Sequence, residues 1–153
     1  MVDVIELTLA MVDTLQRIPP LLALLDSGAA SIVGYVDENP QRNSLSKAVY
    51  QMPPGSLLLS WQGTVMEQAT STMFAWNHVI QIFVRARKGD SALQIIDALV
   101  DGVPDPGDGL RWRYCSLISG VLPTHVRDIA RVPDEEGIDY FVVTTATQET
   151  GDD

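Results

Sequence analysis

The chain has 153 residues and is 46% hydrophobic, the usual size of one domain and enough to bury roughly 70% of its unfolded surface around a single core. Ten basic residues stand against twenty acidic ones, and the net charge of −10 repels a phosphate backbone, which argues against sequence-specific binding of nucleic acid. No apolar run reaches the ~20 residues that cross a bilayer, and residues 1–17 carry Asp3, Glu6 and Asp13 where a signal peptide carries positive charge, so the expectation is a soluble protein not exported by that route.

Along the chain, Ile5, Leu9, Val12 and Leu15 recur at helical spacing among acidic residues and predict an amphipathic helix over 2–18, broken by Pro19-Pro20. Leu21 to Leu25 continues in the helical direction until Ser27-Gly28. Ser31 to Val36 is β-branched and aromatic enough for a strand, Asp37 to Pro40 is a loop, and Ser44 to Gln51 supplies a helical turn or two.

From Gly55 to Val103 there is no proline, and the most regular pattern of the sequence lies inside this stretch. It predicts a β-hairpin over Ser56 to Arg87 whose tip is the polar, small-residue segment near Gln68 to Thr72. On the returning strand Ile80, Ile82, Val84 and Ala86 share one face, the core face. Val79, Gln81, Phe83, Arg85 and Arg87 share the other.

A strand from Trp76 to Arg87 is about 40 Å long at ~3.3 Å per residue, close to the whole diameter expected for a domain with a radius of gyration of roughly 15 Å. Met66, Met73, Phe74 and Trp76, at the distal end, are thereby short of partners within their own domain. Two geometries stay open: the hairpin overhangs the domain, or Gly63 bends its tip back onto the core.

Gly89-Asp90-Ser91 stops the strand and caps a helix with the stripe Leu93, Ile96, Leu99 and Val100, ending at Gly102. Residues 103–109, with two prolines, two glycines and two aspartates, form an exposed loop. Arg111 to Ile118, Thr124 to Val132 and Ile138 to Thr147 are predicted strands, with a turn at Pro133 to Gly137. The fold class is therefore α+β: a mixed, mainly antiparallel sheet with a long β-hairpin, covered on one face by an N-terminal and a central helix. One domain spans residues 1–148, and residues 149–153 are read as a flexible acidic tail.

The residue types that carry chemistry are sparse. Cys115 is the single cysteine, so no intramolecular disulfide or cysteine-based zinc site can form within one chain. His78 and His125 stand in no metal-ligand spacing, and no glycine pattern cradles a phosphate. Cys115, His125 and Asp128 offer the residue types of a nucleophile, base and orienter, but Cys115 lies in an apparent strand and is read as a small buried hydrophobe. Asp134-Glu135-Glu136 is read as a turn, not a cation site.

Trp61, Trp76, Trp112 and Tyr114 are read as core and interface anchors ahead of a ligand pocket. Charge is uneven as well. Arg85, Arg87, Lys88, Arg111, Arg113, Arg127 and Arg131 hold seven of the ten bases, while residues 133–153 hold seven acids and no base. That is ordinary solvated surface, or else an asymmetry that orients head-to-tail packing.

The order of elements, with the run His78-Val79-Ile80-Gln81-Ile82-Phe83-Val84-Arg85-Ala86-Arg87, the helix Ser91 to Leu99 and the ending Gly137 to Thr145, resembles the tail-terminator, or tail-completion, proteins of long-tailed bacteriophages. The likeness covers nearly the whole chain and is one of order and texture. It implies a non-enzymatic structural protein of the virion, made in the host cytoplasm, with no cofactor, no metal and no catalytic residue.

Such a subunit closes a ring, usually a hexamer, on the last ring of tail-tube protein, stops tube growth and offers a head-tail joining face to the connector or stopper protein. DNA passes through without sequence-specific binding, and no membrane is involved. The interface candidates are Met66, Met73, Phe74 and Trp76 at the hairpin tip, Arg85 and Arg87 at its base, and Asp105 and Asp108 in the loop. Other neck or head-completion proteins share this texture, and a small ligand-binding or enzymatic α+β domain is the alternative from a different class.

Overall fold

The computed structural model describes residues 3–36, 44–68, 73–87, 92–101, 121–132 and 140–152. The chain opens with helix α1 (Val4–Leu15). Asp3 caps it, its carboxylate accepting the Ile5 amide at 2.9 Å, and Glu6 places a negative charge in the first turn. Helix α2 (Pro19–Leu24) follows: the proline pair opens this helix at its first two positions, where a missing N–H costs nothing.

A short 3-10 turn at Gly28–Ser31 leads into strand β1 (Ile32–Tyr35), then α3 (Ser44–Tyr50). The hairpin strands are β2 (Ser56–Gln68) and β3 (Met73–Arg85), followed by α4 (Ala92–Asp101), β4 (Val121–Val132) and β5 (Tyr140–Asp152).

The strands form one sheet in the order β1-β2-β3-β5-β4. β1 runs parallel to β2, and every other pairing is antiparallel, so the architecture is α+β with a mixed, mainly antiparallel sheet. The main core joins Leu7, Met11 and Leu15 of α1, Leu21 of α2 and Ile95, Ile96 and Leu99 of α4 to Leu57, Leu59, Ile80, Ile82, Val84 and Val143 of the sheet. The face expected to be core is therefore the face these helices cover.

The α1 stripe differs from the expected one. Val12 and Leu15 are buried as expected, but Leu7 and Met11 are buried in place of Leu9, which is 47% exposed. Two apolar stripes compete on this helix, and its close approach to β1 decides between them. A Cβ placed on Gly34 would stand 3.3 Å from Val12 Cγ2 and 3.4 Å from Leu9 Cδ2, so the glycine lets the flank of α1 rest on the strand backbone while Leu7 and Met11 turn inward.

The opposite face carries a second, smaller cluster in which Val49 of α3 and Met52 meet Leu58, Phe83 and Val142. This is the face that Val79, Gln81, Phe83 and Arg85 share. The β1–α3–β2 connection places α3 there, away from α1 and α4.

β5 runs on to Asp152, past position 148 where the sequence reading ends the domain. Its last residues pair with the start of β3, with Glu149 opposite Trp76, Thr150 opposite Ala75 and Asp152 opposite Met73. The distal hairpin is therefore not a bare two-stranded ribbon: β5 flanks β3 over the whole of its length. A single strand of main-chain partners was missing from the sequence reading because the polar residues at 149–153 carry no strand pattern of their own.

Candidate interaction surface

The distal arm begins where β1 ends. β1 pairs with β2 only as far as Tyr35 opposite Ser60, so the outer edge of β2 from Trp61 to Gln68 has no strand neighbour among the described residues. At the same level the register of β2 shifts between Trp61 and Gly63. The extra residue, Gln62, is a β-bulge, and Gly63 supplies its φ of 156°, a backbone angle that side-chain-bearing residues rarely adopt.

The bulge resets the alternation of the strand. Before it Leu57, Leu59 and Trp61 face the main core; after it Thr64, Met66 and Gln68 do, opposite His78, Trp76 and Phe74. It does not return the tip to the core, because Val65 and Met66, on opposite faces, are 51% and 54% exposed. Met73 is exposed and Phe74 and Trp76 are half-buried, while Trp61 is 41% exposed. The arm overhangs, with apolar side chains on its free edge.

Beneath those side chains the helix-facing surface turns polar. His78 has no exposed surface, and its Nδ1 lies 2.9 Å from Thr64 Oγ1 on β2. Its Nε2 lies 3.2 Å from Glu149 Oε1 on β5. The Trp61 indole donates its N–H to Thr64 Oγ1 at 3.1 Å. Alongside, the hydroxyls of Thr124 and Thr147 meet at 2.7 Å, and the Thr145 hydroxyl donates to the Ile80 carbonyl at 2.8 Å. These bonds tie β2, β3, β5 and β4 together across the arm.

The sequence candidates separate into groups. Met66 and Trp76 are direct cross-strand partners, and Met73 and Phe74 stand next to them at the tip. Arg85 and Arg87 lie at the other end of the hairpin: the Arg85 guanidinium donates to the Met52 carbonyl, and its own carbonyl accepts the Gly55 amide at 2.8 Å. Arg85 thus braces the base of the hairpin from within. Asp105, Asp108, Trp112, Tyr114, Cys115 and residues 134–136 lie outside the described residues.

His125 and Asp128 are both exposed on β4. Thr64, His78 and Glu149 present a hydroxyl, an imidazole and a carboxylate in contact, the residue types of a hydrolytic triad. Yet the His78 ring is sealed from solvent and the Thr64 oxygen is already engaged by Trp61, which suits a structural role. A cleft of about 210 Å³ elsewhere, lined by Ala30, Val33, Ala48, Met52, Pro53 and Leu58, is mainly apolar, and among the described residues neither Trp61 nor Trp76 lines it.

Among the described residues no cluster of three metal-ligating side chains occurs, and no helix is long and apolar enough to cross a membrane.

Neither a family model nor a curated protein matches the chain. Among solved structures it is similar to a chain of the virion of a native gene transfer agent particle. The TM-score is 0.48 and the identity 13%, over 94% of both chains.

Val65, Thr64, His78 and Glu149 were not among the interface candidates, while Trp61 is read from the sequence as a core or interface anchor. For His78 the signal was present, since it stands two residues before Ile80 on the core face of a strand, where a polar side chain needs a buried partner.

Proposed function

We propose that the chain is a structural subunit of a tailed-phage virion, a tail terminator that forms a ring on the head-proximal end of the tail tube, stops tube growth and presents the head-tail joining surface. The observation that carries this reading is the overhanging arm: Trp61, Val65 and Met66 stay exposed on β2, whose edge has no strand neighbour among the described residues, and Met73 stays exposed at the hairpin tip, past the helix-covered core. Exposed strand edges flanked by apolar side chains are sites of association. The resemblance of the chain to tail-terminator proteins supplies the setting.

In this reading Met66, Met73, Phe74 and Trp76 bury against a neighbouring subunit or the tail tube. A heterologous contact that closes gives a ring, and the net charge of −10 suits a channel that lets DNA pass without holding it. Size-exclusion chromatography with light scattering and negative-stain imaging test it. A closed ring with an axial hole, free or on tube ends, is the expected result. Monomers alone, even with tail tubes supplied, overturn it.

A further inference from the structure

Each partner in the chain Trp61, Thr64, His78 and Glu149 has a limited hydrogen-bonding capacity; the direction of the bond from Trp61 is fixed, and with a neutral imidazole one set of directions satisfies the rest. The Trp61 indole can only donate, so Thr64 Oγ1 accepts from it. The Thr64 hydroxyl has one proton, and the nearest acceptor is His78 Nδ1. With the Thr64 hydroxyl donating, the ring proton sits on Nε2, which faces Glu149 Oε1, an acceptor when ionised. Donors and acceptors match at every step, from an exposed side chain on the arm's free edge to a carboxylate two strands away.

We infer that His78 and Glu149 are positioning residues that act through the Thr64 hydroxyl to lock the half-exposed Trp61 indole in one orientation on the free edge of the arm. An indole with 41% of its surface exposed at an unpaired strand edge is otherwise free to change rotamer. Anchoring its N–H from below leaves one ring face presented outward in a fixed pose, which removes the ordering cost that a contact residue normally bears on binding. The bulge at Gln62 is what makes this possible, since it brings Trp61 and Thr64, three residues apart, to the same face of the strand. Only the use of this preset indole as a contact rests on the assembly reading above; the lock itself does not.

The test is solvent exchange of the Trp61 indole N–H in ¹⁵N-labelled protein, the signal being assigned by its loss in Trp61→Phe. Thr64→Val, which keeps the shape and removes the acceptor, is expected to speed that exchange about five-fold or more, the value of one hydrogen bond. Thr64→Ser restores it, and Glu149→Ala gives a smaller acceleration, being two links beyond Thr64. Backbone amides of Leu59 and Ile82 stay protected in all of them. The inference is overturned if Thr64→Val and Glu149→Ala leave the indole exchange unchanged, or if core amides accelerate in step with it. Ring formation by the same variants is a separate readout: unchanged rings with a freed indole would show that the preset indole is not a ring contact, and would leave both the lock and the ring standing.

Discussion

Strands β2, β3 and β5 run from one end of the sheet to the other, yet the same face of the same strands is built in two ways. In the proximal half Leu57, Leu59, Ile82, Val84 and Val143 lie under three helices and have essentially no exposed surface. In the distal half Thr64, His78, Thr147 and Glu149 occupy the equivalent positions: Thr64 and Glu149 each hydrogen-bond to His78, and Thr147 bonds to Thr124. The switch falls at Ile80 and Thr145, where a threonine hydroxyl donates to a strand carbonyl.

The difference teaches what each chemistry requires. Aliphatic side chains gain only by leaving water, so they need a helix to cover them. Directional polar groups can satisfy one another laterally, so a sheet can extend beyond its helices provided its donors and acceptors match. Such an extension frees the outer edge of β2 for contacts with something else.

The sharpest way to break this comparison is a pair of truncations. Leu59→Ala empties a fully buried site and is expected to cost about 2–5 kcal/mol in urea unfolding. If it costs no more than a distal substitution, the two halves are not built differently. Next in size, His78→Leu leaves the Thr64 hydroxyl and the Glu149 carboxylate without their shared partner, at up to about 3 kcal/mol. Hydrogen exchange should then show distal amides of β3 and β5 losing protection ahead of the proximal ones.

Gly63→Ala forces a side chain into a rarely adopted backbone angle and is expected to cost about 1 kcal/mol in thermal unfolding, with the loss confined to the arm. Smallest of all, Met66→Ser touches an exposed site and should change stability by no more than about 0.5 kcal/mol. Its effect belongs in association, read as a weakened ring by light scattering; a full-sized loss of stability instead would show that the arm is packed within its own subunit.

Much of the architecture was legible in the residues. The alternation Ile80, Ile82, Val84 named the core face of β3, and the proline-free stretch from Gly55 marked the hairpin, whose second strand starts at Met73, three residues before the expected Trp76, and ends two residues before the expected Arg87. The stripe of α1 holds at Val12 and Leu15 but not at Leu9, because Leu9 and Leu7 are equally apolar; which of them is buried follows from the contact at Gly34, 25 positions from Leu9. The prolines at 19 and 20 signalled a helix boundary correctly, but as the start of α2, since a proline stops one helix by the same geometry that opens another.

The arm was the part least readable. Its length followed from the spacing of turn residues, and its exposed Met66 and Met73 were named in advance. Its internal bonding was not, because Glu149 joins His78 across 71 positions and nothing local to either residue announces the other.

What the sequence by itself determined is periodicity: which residues alternate, which face is apolar, how long the hairpin is and where helices start. Those are properties of neighbours along the chain, set by 2.0- and 3.6-residue repeats. Only the tertiary structure decided that β5 would flank the hairpin to its tip, that a one-residue bulge would turn Thr64 to the side of His78, and that Trp61 would stand on an open edge with its N–H held from beneath. Strand partners and bulges depend on distant segments meeting, and a single chain written in order does not contain that distance.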